Sequence, residues 1–330
     1  MTNTDWKGRK VLITGGGGFI GSHLAERLVA LGADVRVLVR YVSTGRRGWL
    51  DHSAVKSNFE VVLGDTRDFS CVRDAMRDRQ VVFHLAALIG IPYSYRAPRA
   101  YVSTNIEGTL NVLEAGRELG TERIVCTSTS EVYGTAQYIP INERHPLQGQ
   151  SPYSASKIGA DKLAESYHLS FGLPVAIARP FNTYGPRQSA RAVIPALITQ
   201  ALVFSEIHIG SLSPTRDFNF VTDIVEGFLC MGTREQAVGR TINFGTGVEI
   251  SIGNLARTVG QLLGKELTLV SEEERVRPAN SEVERLCADS TQACELLDWK
   301  PSVTLEEGLH RTIAWIEQNL PLYREGHYEV

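Results

Sequence analysis

No two of the five cysteines in this chain (Cys71, Cys126, Cys230, Cys287 and Cys294) stand at C-x-x-C spacing, and their number is odd. The pattern argues against a thiolate metal site and against a fully paired disulfide framework. The five read instead as buried thiols of a reducing compartment. An excess of one charge is also lacking: 34 Lys and Arg face 37 Asp and Glu, for a net charge of -3. Such a balance leaves no electrostatic footprint for nucleic acid or an anionic membrane. Long apolar runs are missing, since the most apolar stretch, 81–91, is interrupted by His84 and is too short to span a bilayer. Met1 to Lys10 is polar and has no signal-peptide core, so a cytoplasmic location is expected. Neither an internal repeat nor a low-complexity segment is visible. What is present is 330 residues, 43% of them hydrophobic, enough for a large core and more than one domain.

The first half alternates strand-like and helix-like segments, as a parallel sheet requires. Strands are expected at Val11–Thr14, Val35–Val39, Glu60–Leu63, Val81–His84, Arg123–Thr127 and Val175–Ala178, with helices at Arg99–Leu119 and from Pro152 to Phe171. Asp217–Val221 and Thr241–Phe244 are expected to return to the same sheet. Helices at Ser251–Leu263, Thr291–Leu297 and Thr304–Asn319 are assigned to a smaller lobe. The expected division is a doubly wound α/β dinucleotide-binding domain over 1–181, rejoined by 213–247. A mixed α/β substrate lobe over 182–212 and 248–330 completes it.

Two motifs carry chemistry. The apolar run Lys10 to Thr14 leads into Gly15-Gly16-Gly17-Gly18-Phe19-Ile20-Gly21 and then a helical stretch from Ser22 to Leu31. Strand, glycine turn and helix N-terminus make a phosphate-binding opening: Gly15 for the turn, Gly18 for close backbone approach, Gly21 for helix-on-strand packing. The second motif is Tyr153 with Lys157 in Ser-Pro-Tyr-Ser-Ala-Ser-Lys. At i and i+4 both side chains share one helix face. The nearby cation is expected to lower the phenol's pKa, so that Tyr153 can take a proton while the same carbon gives up hydride.

Together with Leu-Gly-Asp65, His84-Leu85-Ala86-Ala87, Thr-Asn105-Ile-Glu-Gly-Thr, Arg179-Pro-Phe-Asn182-Thr-Tyr-Gly-Pro and Arg216-Asp-Phe-Asn-Phe-Val-Thr-Asp, these residues resemble the extended short-chain dehydrogenase/reductase family. The likeness is to its nucleotide-sugar epimerase and dehydratase branch and runs through nearly the whole chain. It implies a Rossmann-type fold with the dinucleotide on Gly15, Gly18, Phe19, Ile20, Gly21, Arg40, Asp65, Thr66, Leu85, Ala86, Ala87, Asn105, Thr127, Tyr153, Lys157 and Pro180. Asp65 would hold the adenine amino group. The same likeness places the substrate on Tyr93, Asn182, Val193, Arg216 and Arg277, with the arginines on its diphosphate. It further implies a homodimer, formed through the Arg99–Leu119 and Tyr153 helices.

The reaction type turns on Thr129-Ser130-Glu131, which resembles the Thr-Ser-Glu form of sugar-nucleotide 4,6-dehydratases. By that likeness Thr129 holds the sugar hydroxyl that is oxidised. A C4 ketone acidifies the C5 proton, Glu131 removes it, Ser130 assists departure of the C6 hydroxyl, and hydride returns to C6. An epimerase at C4 or C5 stays open, as do a decarboxylase of nucleotide-linked glucuronic acid and a non-catalytic dinucleotide sensor. The second strand ends Leu38-Val39-Arg40-Tyr41, followed by Ser43-Thr44-Gly45-Arg46-Arg47, with no carboxylate for a ribose hydroxyl. This resembles GDP-mannose 4,6-dehydratases and favours NADP over NAD. Ile91-Pro-Tyr-Ser-Tyr and Gln148-Gly-Gln-Ser-Pro-Tyr resemble N-acetylglucosamine-nucleotide 4,6-dehydratases of the legionaminic acid pathway, favouring a GDP- or UDP-linked N-acetylhexosamine.

Overall fold

The computed structural model describes residues 5–272, 275 and 278–323. In chain order the first half runs β1 (Lys10–Thr14), α1 (Phe19–Ala30), β2 (Asp34–Arg40), β3 (Phe59–Gly64), α2 (Phe69–Met76), β4 (Val81–His84), α3 (Ile91–Arg96), α4 (Pro98–Tyr101), α5 (Gly108–Leu119), β5 (Arg123–Thr127), α6 (Pro152–Phe171) and β6 (Val175–Pro180). The second half continues with β7 (Asn182–Tyr184), α7 (Val193–Val203), β8 (Glu206–Ile209), β9 (Thr215–Phe220), α8 (Val221–Thr233), β10 (Thr241–Phe244), β11 (Glu249–Ser251), α9 (Ile252–Leu263), β12 (Thr268–Ser271), β13 (Arg285–Leu286), α10 (Thr291–Leu297) and α11 (Leu305–Asn319).

Seven strands form one sheet in the order β10-β6-β5-β4-β1-β2-β3, every neighbouring pair parallel. A parallel sheet is covered on both faces, so both faces of its strands carry apolar residues. Leu12, Val82, Ile124 and Ile177 face α2, α5 and α6. Val11, Ile13, Phe83 and Ala176 point the other way, towards α1 and α8. Among the described residues no helix is long and apolar enough to cross a membrane. Cys126, Cys230 and Cys287 are buried as expected, whereas Cys71 and Cys294 are only partly so; all five are free.

One expectation is corrected. The strand expected at Asp217–Val221 does not return to the main sheet. As β9 it pairs with β7, β11 and β13 in a separate sheet, and only β10 joins the large one. The reason lies in its alternation: Phe218 and Phe220 point to the Tyr184 ring, while Asp217 and Asn219 are buried on the opposite side. Asp217 accepts from Thr246 N at 2.9 Å, Thr246 Oγ1 at 2.7 Å, Gly247 N at 2.9 Å and Ala288 N at 3.1 Å. These four donors hold β9 in the smaller sheet, because a buried carboxylate without them is costly.

Other differences are of boundary and pitch. The first helix begins at Phe19, because Gly18 is its N-cap. The Arg99–Leu119 helix is interrupted by a π-helical turn, Val102–Glu107, between α4 and α5. Such turns widen the backbone and often occur at functional sites. Here the turn aims the buried Asn105 side chain at Leu88, accepting from its N–H at 2.8 Å and donating to its C=O at 3.0 Å.

His84 joins the β1 and β4 ends to α5. Its Nδ1 lies 2.8 Å from Thr14 Oγ1 and its Nε2 lies 3.1 Å from Thr109 Oγ1, and Thr14 Oγ1 accepts from Ala86 N. Burial pushes the imidazole from its ordinary 6.5 down to about 3, with the Lys157 charge acting in the same direction. The folded protein therefore holds His84 neutral while the unfolded chain protonates it below 6.5. Stability present above pH 6.5 is lost progressively as the pH falls towards about 3, a span worth a few kcal/mol. Urea unfolding across this range should show a steep acid loss in the parent protein and a shallower slope in His84→Gln.

Candidate functional site

All strands of the large sheet end at one edge, and ligands of such sheets bind outside those carboxyl ends. The expected cofactor residues collect there because of the topology. Gly15, Gly18, Phe19, Ile20 and Gly21 follow β1, Arg40 ends β2, Asp65 and Thr66 follow β3, and Leu85–Ala87 follow β4. Thr127 ends β5 and Pro180 ends β6.

Glycine is demanded sterically at two of these positions. Gly15 has φ +72°, and a Cβ there would lie 2.8 Å from Ala86 N. A Cβ on Gly21 would lie 2.4 Å from Gly15 O. The turn delivers the N-terminus of α1, which has no side-chain cap. Free N–H groups and the helix dipole there suit a pyrophosphate. Thr127 Oγ1 and Asn182 Oδ1 are buried on the same edge with no hydrogen-bond partner among the described residues. Orphaned polar atoms of this kind are uncommon and point to a ligand. These features fit a dinucleotide. Asp65 is paired with Arg67 at 2.6 Å, and that side-chain hydrogen bond holds its carboxyl below the usual carboxylate range.

Helix α6 starts where the sequence says it should. Ser151 and Ser154 form a reciprocal capping box, and Pro152 takes a first-turn position where its missing N–H costs nothing. Tyr153 and Lys157 are both buried on its inner face. The Thr129 hydroxyl hydrogen-bonds the Tyr153 phenol, and Glu131 is close enough to act on that phenol electrostatically. The Tyr153 ring also meets Tyr101 edge-on, with centroids 6.2 Å apart. Ser130 and Glu131 sit in a short 3-10 turn, Ser130–Tyr133, capped by Thr129, whose Oγ1 accepts from Glu131 N at 3.3 Å. Both are buried.

The expected lowering of the Tyr153 pKa is corrected. Burial pushes the phenol well above its ordinary value, the Thr129 hydrogen bond opposes this, and the Glu131 charge adds to the rise. Lys157 Nζ donates to Thr127 O at 2.5 Å, at the end of β5, and its charge is not among those acting on the phenol. Burial pushes Lys157 down, and Asp161 partly restores it.

The expected substrate residues fall on four separate elements. Tyr93 is on α3 and partly exposed, Asn182 starts β7, Val193 starts α7 and Arg216 is on β9. Arg216 is buried, with Nη2 3.0 Å from Glu282 Oε1. Arg277 lies outside the described residues. Sequence reasoning missed Asp161, although its position one helical turn after Lys157 was a legible signal. It also missed the Arg179–Tyr133–Asn243 chain, whose members are far apart in sequence and left no signal.

A family model described as GDP-mannose 4,6 dehydratase matches residues 12–312. The chain is 35% identical over 313 residues to a UDP-glucose 4-epimerase of Mycolicibacterium smegmatis, covering 93% of this chain and 98% of that protein. It is 33% identical over 321 residues to a UDP-N-acetyl-alpha-D-glucosaminuronate decarboxylase of Bacillus cytotoxicus, covering 94% and 98%. Among solved structures, a dTDP-glucose 4,6-dehydratase from Streptomyces venezuelae with bound NAD superposes with a TM-score of 0.86 at 29% identity, covering 95% of this chain and 98% of that one.

Gly15→Ala should strain the turn by about 1–3 kcal/mol and force Ala86 backbone away. Dinucleotide titration by calorimetry is expected to show at least about a tenfold loss of affinity while the protein stays folded.

Proposed function

The chain belongs to the nucleotide-sugar-modifying branch of the extended short-chain dehydrogenase/reductase family, and within it we propose a sugar-nucleotide 4,6-dehydratase. The observation that carries the reading is Glu131, a buried carboxylate within electrostatic reach of the Tyr153 phenol and two residues from the Thr129 that hydrogen-bonds it. Transient oxidation alone needs no second base; abstraction of a C5 proton does.

Tyr153 takes the proton of the C4 hydroxyl while Thr129 holds the oxygen and Lys157 keeps a positive charge beneath. Nicotinamide bound at the strand edge supplies the hydride acceptor at C4 and the donor at C6. Glu131 then removes the C5 proton made acidic by the C4 ketone. Ser130, directly or through a water, assists the C6 hydroxyl, which leaves as water with that proton, and a proton returns to C5 as hydride reaches C6. The product is a 4-keto-6-deoxy sugar with no net oxidation. Asn182 and Arg216 bind the diphosphate, and the preferred substrate is a GDP- or UDP-linked hexose, with an N-acetylhexosamine favoured. The proposed assembly is a homodimer through α5 and α6.

Decarboxylation is the second reading, since the Bacillus cytotoxicus relative bears that name. Against it stands neutral Gln150 where such enzymes resemble one another in carrying an arginine. Its amide is already committed, accepting from Thr135 N at 2.5 Å and donating to Asn280 O at 3.1 Å.

NADP is the proposed dinucleotide. The segment after Arg40 lies against the glycine turn, with Trp49 N donating to Gly17 O at 2.9 Å. Arg46 and Arg47 belong to that segment, and the carboxylates nearby already have partners: Asp51 accepts from Arg47 N at 2.9 Å and Asp65 pairs with Arg67.

Incubation with GDP-, UDP- and dTDP-hexoses and mass spectrometry should show loss of water. Loss of carbon dioxide, or a new isomer of unchanged mass, would replace the reading with decarboxylase or epimerase. Tyr153→Phe is expected to abolish oxidation and turnover. Glu131→Gln should still reduce bound cofactor, seen in the near ultraviolet, with dehydration slowed about 10²–10⁴-fold; full dehydration rates would remove Glu131 as the base. Arg40→Asp should shift the NADP-to-NAD affinity ratio towards NAD by about tenfold or more, measured by fluorescence titration.

A further inference from the structure

Beneath the proposed site lies an ion pair that the reaction steps above do not use. Asp161 on α6 and Arg179 on β6 are both buried, with Arg179 Nη2 donating to Asp161 Oδ2 at 2.8 Å and Arg179 Nε to the same oxygen at 3.2 Å. Ser128 Oγ donates to that oxygen too, at 2.6 Å. On its other side Arg179 Nη1 donates to the Tyr133 hydroxyl at 3.0 Å, and Tyr133 donates onward to Asn243 Oδ1 at 2.7 Å. The chain closes on Ile141 O, which accepts from Asn243 Nδ2 at 3.0 Å. The Arg179 guanidinium also stacks over the Tyr133 ring, 5.1 Å from its centroid.

The attachment points of this network fall on both halves of the proposed chemistry. Asp161 is one helical turn beyond Lys157, so the two share a face of α6. Ser128 immediately precedes Thr129. Tyr133 ends the short turn that carries Ser130 and Glu131. A buried ion pair is poor value for stability alone, because apolar residues of equal volume often do as well or better. What a planar guanidinium fork adds is fixed direction, holding several groups at set angles at once.

We propose that the Asp161–Arg179 pair is a positioning unit, locking the helix that carries Tyr153 and Lys157 to the turn that carries Ser130 and Glu131. It rests on the dehydratase reading, in which oxidation at C4 and proton removal at C5 must act on one sugar without its moving. The pair sets the distance between the group that opens the reaction and the group that completes it. Asp161 has a further effect on Lys157. The charged or titratable groups around that ammonium are Asp161 on its own helix, Cys126 on β5 and His84 on β4, with Arg179 on β6 behind Asp161. Asp161 is the carboxylate that supports the lysine's charge against burial.

Two variants test this. Tyr133→Phe removes one hydroxyl and keeps the ring, so the turn loses its tie to Arg179 with little loss of packing. With a sugar nucleotide that the parent dehydrates, this variant is expected to slow dehydration about tenfold or more. Oxidation continues, so reduced cofactor accumulates on the enzyme and the melting temperature stays close to the parent's. Asp161→Asn is read without substrate. Chain-wide labelling of lysine Cε with ¹³C, with the Lys157 signal assigned from Lys157→Arg, should show Lys157 losing its proton at lower pH than in the parent. Double variant Asp161→Asn/Arg179→Gln should show the same direction, which covers the case in which an unpaired Arg179 unfolds the single variant.

The proposal is overturned if Tyr133→Phe dehydrates at the parental rate, or if oxidation and dehydration fall together in it. An unmoved Lys157 titration removes the electrostatic part. If the parent dehydrates no nucleotide sugar, the dehydratase reading fails by itself. The pair's link to the turn is then decided by exchange of the Glu131 and Val132 amides, which should quicken about tenfold in Tyr133→Phe if the link is real and stay parental if it is not.

Discussion

Parallel pairing of β1 with β4, in the register that sets Thr14 opposite His84, is the constraint on which the site depends. It brings the glycine turn and the Leu85–Ala87 segment to the same height at the sheet edge. The backbone of Ala86 then occupies the space that a Cβ on Gly15 would need. Thr14 Oγ1 completes the join by meeting both His84 Nδ1 and Ala86 N. A single side chain at Gly15 or a charged imidazole at His84 would push these two segments apart. The seam is therefore both a packing requirement and the floor on which a dinucleotide would rest.

The second level of organisation is polar and lies one strand further along. The turn with Thr129, Ser130 and Glu131 follows β5, and the helix with Tyr153 and Lys157 packs across it. Their side chains meet in a largely dehydrated space, where each charge acts strongly on its neighbours. The effect is visible in opposite directions on two titratable groups, since burial raises the Tyr153 phenol and depresses the Lys157 ammonium. Both shifts favour the neutral forms. In the proposed reaction Tyr153 must give up its own proton before it can take one from a sugar hydroxyl; burial opposes that loss and the Thr129 hydrogen bond favours it.

Much of this was legible in the chain itself. The apolar run of β1, the glycine spacing and the Pro152 start of α6 are local signals, and the structure places all three where the sequence indicates. Tyr153 and Lys157 share a helix face because 3.6 residues make a turn, which needs no tertiary information. The strand from Thr215 to Phe220 was misplaced for an equally physical reason. Its apolar residues satisfy a strand pattern, but the pattern alone does not say which sheet will accept buried Asp217. That was decided by donors from Thr246, Gly247 and Ala288, which lie between 29 and 71 positions away.

The sequence by itself determined the class of fold, the glycine cradle, the pairing of Tyr153 with Lys157 and the presence of a carboxylate at Glu131. These follow from periodicity, sterics and motif spacing, all short-range along the chain. Tertiary structure alone decided that Lys157 binds Thr127 O, that burial raises the Tyr153 phenol, and that Arg179 hydrogen-bonds both Asp161 and Tyr133. Those outcomes depend on distances between segments and on the removal of water around them. Neither quantity exists until the sheet has assembled.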